Sequence, residues 1–238
     1  SQKFKPDLIC TPECSNIITN DKTHLLNYAN YQSDCPIIKM TKNFSKKNKV
    51  NINLGSLLLK VKGKKKMINR SIVINKYGRI QSSYDKIHLF DVDIDDQESH
   101  RESHFFSGGK KLVVTNINGV SIGLSICYDL RFPNMYRALA KKGAQIILIP
   151  SAFTIPSGKA HWETLVRARS IENSLFVVAT NMVGTHHEKR KTYGHSLLFN
   201  PWGNLKNKCF SKPKILNSII DLNEISEVRS KIPAIYND

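Results

Sequence analysis

Short apolar runs of strand length recur along the chain, and segments whose apolar residues follow a helical period separate several of them. Strands are therefore predicted at about residues 7–11, 52–60, 69–75, 112–117, 120–127, 146–150, 176–181, 196–199 and 215–221. Helices are predicted near residues 21–30, 38–47, 134–142 and 161–173. An alternation of strands with helices indicates a layered α/β domain.

The length of the chain fits one domain. It has 238 residues, of which 40% are hydrophobic, and this is enough for one sizeable core. No linker rich in Pro, Gly or Ser divides the sequence, and no repeat of solenoid period is present. The longest apolar stretches, at 145–150 and 175–179, are far too short to span a bilayer. We expect a single domain over residues 1–238 and no membrane partner.

The net charge of +17 is a strong compositional bias, and lysine is densest at 46–49 and 60–66. Such an excess attracts nucleic acid and other polyanions non-specifically. The lysines are not interleaved with aromatic residues, and the 60–66 run separates two strand-like runs, which predicts a charged hairpin loop. We therefore expect no specific nucleic-acid partner, whereas an anionic small-molecule substrate suits the same field.

Five cysteines without regular spacing argue against a disulfide framework and predict a reducing compartment, the cytoplasm. The sequence does not begin with Met, so organellar targeting stays open. His100 and His104 have i, i+4 spacing and His186 and His187 are adjacent, but no cysteine or carboxylate pattern completes a zinc site. Neither a metal nor a cofactor is expected.

Cys127 lies where a predicted buried strand breaks into a predicted helix. A tight turn at a strand end pushes a side chain out of the sheet, which suits a nucleophile. The free N–H groups and the dipole of the following helix would favour a thiolate there. Core packing is the other interpretation, because free cysteine is among the most buried residue types.

Two other residues follow strand-like runs, Glu13 after 7–11 and Lys86 after 79–85. Taken singly, each could be a solvated surface charge. Together with the cysteine they lie in three separated blocks, PE at 12–13, YDKIHLFD at 84–91 and ICYDLRFP at 126–133. In this order the blocks resemble the signatures of the nitrilase superfamily.

The resemblance continues over nearly the whole chain. The segments IPSAF at 149–153, HWE at 161–163, RARSIEN at 167–173, YGHS at 193–196 and PWG at 201–203 are similar to blocks of the Nit branch, whose members hydrolyse amides. The loop GTHHEKRKTYGH at 184–195 most resembles that of the deaminated glutathione amidases. Superfamily members begin with a strand and a helix ahead of the PE block, which this chain reaches almost at once, so we expect those two elements to be lacking and a sheet edge to be exposed.

The resemblance implies a fold, a mechanism and a set of catalytic residues. The fold is an αββα sandwich, in which helices flank two β-sheets. The implied nucleophile is Cys127, which forms a thioester acyl-enzyme, and the implied general base and then acid is Glu13. The oxyanion is held by Lys86 with the backbone N–H of Tyr128. A fourth candidate, Glu163, would contact Lys86 and the substrate amide, or would instead be a carboxylate at a helix N-terminus.

The implied reaction is hydrolysis of deaminated glutathione to 2-oxoglutarate and Cys-Gly, a metabolite-repair activity. An ω-amidase acting on 2-oxoglutaramate or a related dicarboxylate monoamide, an N-carbamoyl hydrolase and a catalytically silent scaffold are the alternatives. Candidate substrate-binding residues are Tyr128, Arg131, Phe153, Thr154, His187, Lys189 and Arg190. For Arg131 and Asp129 the simpler interpretation is that they pair with each other or with the neighbouring helix, and for the 184–193 loop it is a solvated basic turn.

A homodimer is expected from the resemblance and from the predicted helix at 134–142. Its Met135, Tyr136, Leu139 and Ala140 give more apolar surface than one sheet face needs. A second copy of the chain would cover the remainder.

Overall fold

The structure, a computed structural model, describes residues 4–19, 21–93, 99–187 and 190–237. The strands in these ranges are β1 (Leu8–Cys10), β2 (Asn30–Tyr31), β3 (Asn51–Lys60), β4 (Ile68–Ile74), β5 (Ile80–Asp85), β6 (Asp91–Asp93), β7 (Ser99–Arg101), β8 (Val113–Ile117), β9 (Val120–Leu124), β10 (Ile146–Leu148), β11 (Phe176–Ala179), β12 (Val183–Thr185), β13 (Lys191–Tyr193), β14 (Leu197–Phe199) and β15 (Leu205–Lys208). The helices are α1 (Lys22–Tyr28), α2 (Pro36–Asn48), α3 (Pro133–Lys141), α4 (Ile155–Ser157), α5 (Glu163–Asn173) and α6 (Asn223–Lys231). None of these helices is long and apolar enough to cross a membrane.

The first sheet has the strand order β1-β3-β4-β5, with β2 beside the far end of β3. β1 is parallel to β3, while β3, β4 and β5 are successively antiparallel, so β1, β3 and β5 run in one direction. The lysine run joins β3 to β4 as the predicted hairpin loop. On the outer face, Ile72 and Ile74 pack with Ile38 of α2 because alternate strand residues point to one side.

The second sheet has the order β15-β14-β11-β10-β9-β8. Its central strands β9, β10 and β11 are parallel and mostly apolar, as is typical of strands that are covered on both faces. α3 and α5 lie on the outer face, where Leu139 of α3 approaches Gly123 of β9. On the inner face, Val73 and Tyr84 of the first sheet share a core with Leu124, Ile147 and Phe176 of the second. The αββα sandwich predicted from the resemblance is confirmed.

Two sequence expectations are wrong. Residues 215–221 form no strand, although their pattern is apolar, because they pair with no strand in the described ranges. Their side chains Ile215 and Ile219 are 83% and 85% exposed. The apolar face of α3 offers no surplus for a second copy, because Tyr136 and Leu139 are fully buried inside the chain itself.

Candidate active site

Each of the three candidate catalytic residues follows the carboxyl end of a strand. Glu13 follows β1, Lys86 follows β5, and Cys127 follows β9. The chain just before Glu13 passes close to the backbone of β3 at Gly55. Only glycine fits there, because a methyl group would overlap the carbonyl oxygens of Thr11 and Pro12. The side chains of Glu13, Lys86 and Cys127 are all buried and line one cavity.

The ammonium of Lys86 is shared by two carboxylates. Its Nζ donates to Glu13 Oε1 at 3.0 Å and to Glu102 Oε2 at 2.9 Å. The amide Nδ2 of Asn69 also donates to Glu13 Oε1, at 2.9 Å, and to Glu102 Oε1, at 3.3 Å. The N–H of Phe90 donates to Glu102 Oε2 at 2.6 Å. These bonds satisfy charges that would be costly to bury alone.

The charge of Lys86 is stabilised by this arrangement. Burial by itself disfavours an ammonium, but Glu102 and Glu13 outweigh it and raise the pKa of Lys86 well above its ordinary value. The lysine therefore stays positively charged throughout the neutral range. A fixed cation beside the thiol is what an oxyanion requires.

Cys127 has a left-handed backbone, with φ at 47°, and begins a 3₁₀ turn over Cys127–Arg131. Its N–H donates to the carbonyl of Pro150 at 2.9 Å. The N–H of Ala152 and the carboxylate of Glu13 both act on the thiol, the first lowering its pKa and the second raising it. A non-glycine residue held at positive φ is strained, and the surrounding bonds keep the thiol aimed into the cavity.

The expectation that Cys127 is present as a thiolate is wrong. Burial and the nearby Glu13 raise the pKa of the Cys127 thiol well above its ordinary value, and the opposing effects of Lys86 and the Ala152 N–H do not cancel this. The helix-dipole argument also fails, because α3 begins only at Pro133, after the 3₁₀ turn. The thiol is therefore protonated at neutral pH and needs a base.

The cavity has a volume of about 320 Å³. Five of the candidate substrate-binding residues line it: Tyr128, Arg131, Phe153, Thr154 and Arg190. The predicted pairing of Arg131 with Asp129 is wrong, since the guanidinium donates to His161 Nδ1, in the helical turn before α5, at 3.3 Å and lies over the rings of Tyr128 and Phe153. The carboxylate of Asp129 is fully buried and accepts from other groups instead.

Two candidates lie elsewhere. The carboxylate of Glu163, at the start of α5, is 43% exposed and pairs with Lys208 at 2.6 Å, so the expected contact with Lys86 is wrong. His187 does not itself line the cavity but lies 3.2 Å from the hydroxyl of Thr19, which does, and it stacks on His24. Lys189 lies outside the described residues.

Sequence reasoning missed Glu102, the second carboxylate on Lys86. It lies in a 3₁₀ turn after β7, and no pattern around it separates it from an ordinary surface carboxylate. Only the fold shows that its side chain lines the cavity. Within the described ranges, no group of three or more His, Cys, Asp and Glu residues is placed to hold a metal ion.

Comparisons with a family model, with curated proteins and with solved structures all find carbon-nitrogen hydrolases and their relatives. A family model described as carbon-nitrogen hydrolase matches residues 1–230. The deaminated glutathione amidase of Dictyostelium discoideum is 39% identical over 96% of this chain and 81% of that protein. That of Yersinia enterocolitica is 33% identical over 97% of this chain and 81% of that protein. The crystal structure of the Caenorhabditis elegans NitFhit protein has a TM-score of 0.91 and 34% identity, and the match covers 98% of this chain and 57% of that one.

Proposed function

The chain belongs to the carbon-nitrogen hydrolase family, and from that premise we propose that it hydrolyses an amide through Cys127, Glu13 and Lys86. The observation that carries the proposal is that the three side chains are buried together in the lining of one cavity. The charge of Glu13 raises the pKa of the neutral thiol, and the same carboxylate lies 3.0 Å from the ammonium of Lys86. Nucleophile, base and oxyanion stabiliser are thus within reach of one substrate carbonyl.

Acylation begins with a proton transfer inside the site. Glu13 takes the proton of Cys127 as the sulfur attacks the carbonyl carbon, and the carbonyl oxygen becomes an oxyanion. The ammonium of Lys86 and the N–H of Tyr128 stabilise that negative charge. Glu13 then gives the proton to the leaving nitrogen, the C–N bond breaks, and a thioester remains.

Deacylation repeats the sequence with water. Glu13 accepts a proton from the attacking water, and Lys86 again stabilises the oxyanion. The C–S bond then breaks, and the sulfur of Cys127 recovers the proton from Glu13 as the carboxylic acid product leaves. The high pKa of the thiol keeps it neutral between cycles.

Glu102 serves as a positioning residue for Lys86. When Glu13 holds the transferred proton it is neutral, and Glu102 at 2.9 Å is then the remaining charged partner of the ammonium. Its own oxygens are fixed by the N–H of Phe90 and by Asn69. The lysine therefore keeps both its charge and its orientation through the cycle.

The substrate we propose is deaminated glutathione. Two relatives over most of this chain bear the name deaminated glutathione amidase. This substrate has a carboxylate at each end, and Arg131 and Arg190 both line the cavity. The third arginine of the lining, Arg101, makes a two-pronged ion pair with Asp93 at 2.7 and 2.8 Å. Guanidinium groups hold carboxylates well because they donate in parallel.

A substrate panel with a matched variant tests this function. Deaminated glutathione should release Cys-Gly, whereas 2-oxoglutaramate, the substrate of an ω-amidase, releases ammonia. We expect the former to be hydrolysed with the higher kcat/KM, and Cys127→Ala to abolish both reactions, because a thioester cannot form without the sulfur. Substantial activity in Cys127→Ala would refute the mechanism. Faster hydrolysis of 2-oxoglutaramate would move the assignment to an ω-amidase.

We also propose that two copies associate and that the chain acts as one domain in the cytoplasm. The support for association is the exposure of two large apolar side chains, Ile171 of α5 and Trp202, which are 51% and 50% exposed. Ile171 lies against Gly203, the residue that follows Trp202. We propose that the second copy binds at these two side chains and not at the apolar face of α3 that the sequence indicated.

A further inference from the structure

A fully buried carboxylate, Asp129, ties together the two backbone segments that carry Lys86 and Cys127. Its Oδ2 accepts from the N–H of Ile126 at 2.9 Å and from the hydroxyl of Tyr84 at 2.7 Å. Its Oδ1 accepts from the N–H of His88 at 3.0 Å, and lies 2.7 Å from Nδ1 of the same histidine.

The donors are placed on either side of the catalytic residues. Tyr84 and His88 flank Lys86, and the Tyr84 hydroxyl also accepts from the N–H of Ile87 at 3.1 Å. On the other segment, Ile126 immediately precedes the nucleophile. The segment 84–88, which contains Lys86, is therefore bonded to the turn at Cys127 through the carboxylate of Asp129.

We propose that Asp129 is a positioning residue that fixes the separation of the Lys86 ammonium from the Cys127 sulfur. This inference rests on the proposed function. Three donors are bonded to the two carboxylate oxygens and His88 Nδ1 lies at hydrogen-bond distance as a fourth, and only an ionised carboxylate, which has no proton of its own, accepts from all four. An asparagine would turn one of these positions into a donor facing other donors.

Burial makes these bonds specific to the folded site. Asp129 has no exposed surface, and Tyr84 is 1% exposed, so water does not replace a missing partner. The ring of His88 stacks on Phe132 at 3.6 Å, which holds it against the carboxylate. Burial and then the charge of Asp129 raise the pKa of Tyr84 far above its ordinary value, so its hydroxyl stays a donor at every working pH.

The test compares two tyrosine-to-phenylalanine changes. Tyr84→Phe removes one donor to Asp129 and the acceptor of the Ile87 N–H. Tyr136→Phe is the matched control, because Tyr136 is equally buried beside the same network but its hydroxyl donates to Ser125 Oγ, at 3.0 Å, rather than to Asp129. Both changes remove one buried hydroxyl and keep the ring.

Tyr84→Phe should lower kcat for the better amide of the panel by roughly 10- to 100-fold, with KM within about twofold, because small misplacements of catalytic groups cost this much. The pH profile of Cys127 alkylation by iodoacetamide, followed by mass spectrometry of the peptide, should also move to higher pH. A displaced ammonium stabilises the thiolate less. Tyr136→Phe should keep kcat and the alkylation profile, whatever its effect on melting temperature.

Equal losses of kcat in the two variants, or an unmoved alkylation profile in Tyr84→Phe, would overturn the positioning role. Asp129→Asn should cause a larger loss than Tyr84→Phe, and a smaller one would count against the role in the same way. A failure of the proposed function looks different, because Cys127→Ala would then remain active. The two ideas can therefore fail separately.

Discussion

At the scale of single residues, the carboxylate of Glu13 has two opposite effects on Cys127. As a negative charge beside the sulfur it raises the thiol pKa, which makes the resting nucleophile weak. In the proposed reaction the same carboxylate is also the base that takes the proton of the thiol. Removing its charge alone should separate these effects.

Glu13→Gln should make Cys127 more reactive and the enzyme less active. With the repulsion gone and Lys86 still present, the thiol pKa should fall, so iodoacetamide alkylation should reach its half-maximal rate at lower pH than in the parent. Amide hydrolysis should drop by roughly 10²- to 10⁴-fold, the usual cost of a lost acid–base group. The measurements are an alkylation pH profile and kcat.

Glu163→Gln is the control for this change. Its carboxylate pairs with Lys208 outside the cavity, so neither the alkylation profile nor kcat should move. If Glu163→Gln mimics Glu13→Gln, the placement of the base is wrong. An unchanged thiol pKa in Glu13→Gln would contradict the electrostatic account.

The sequence located the residues that the structure brings together at the centre of the cavity, but not their environment. Three blocks with strand-end context pointed to Glu13, Lys86 and Cys127. The second carboxylate was assigned to Glu163 rather than Glu102, because a single sequence does not show which of several carboxylates turns inward. Thiol pKa was misjudged for the same reason, since burial raises it and burial is a property of the fold.

At the scale of elements, strands with strong apolar runs were predicted to within a few residues, and weakly apolar ones were not. β3, β4 and β10 match their predictions closely, whereas β15, whose sequence is LKNK, was missed. The segment 215–221 has the opposite property, an apolar pattern without a partner. A strand is stabilised by its ladder and its neighbours, so local pattern alone decides neither case.

Arg190 precedes β13 in the hairpin of β12 and β13 and lines the cavity. Its removal should therefore affect long anionic substrates more than short neutral ones. Arg190→Ala should raise KM for deaminated glutathione by about tenfold, on the scale of one lost charge-assisted hydrogen bond. A short neutral amide that does not reach the hairpin should be affected much less. Steady-state kinetics on both substrates provides the measurement.

Lys191→Ala supplies the matched control on the same hairpin, because Lys191 is exposed and does not line the cavity. It should leave both KM values nearly unchanged. Equal effects of Arg190→Ala on the long and the short amide would show that this arginine is not a specificity element, and would favour the ω-amidase assignment.

At the scale of the whole molecule, the exposed apolar side chains of Ile171 and Trp202 support the proposed association of two copies. Light scattering should give twice the mass of one chain. Ile171→Asp should shift the protein toward the single-chain mass, because a carboxylate cannot be buried at an apolar interface without a partner. A monodisperse, fully active single chain in the parent protein would rule out the dimer.

The ion cluster of Glu13, Lys86 and Glu102 also fixes how much charge the interior must carry. With the thiol neutral, the cluster holds two carboxylates and one ammonium, a net of minus one. In the proposed cycle the proton only moves from sulfur to Glu13 and on to the leaving group, while the oxyanion appears as Glu13 becomes neutral. Total charge is therefore constant at every intermediate. The low-polarity walls resist the creation of new charge but not its displacement over a few atoms, so the surrounding protein has little to reorganise as the bonds change.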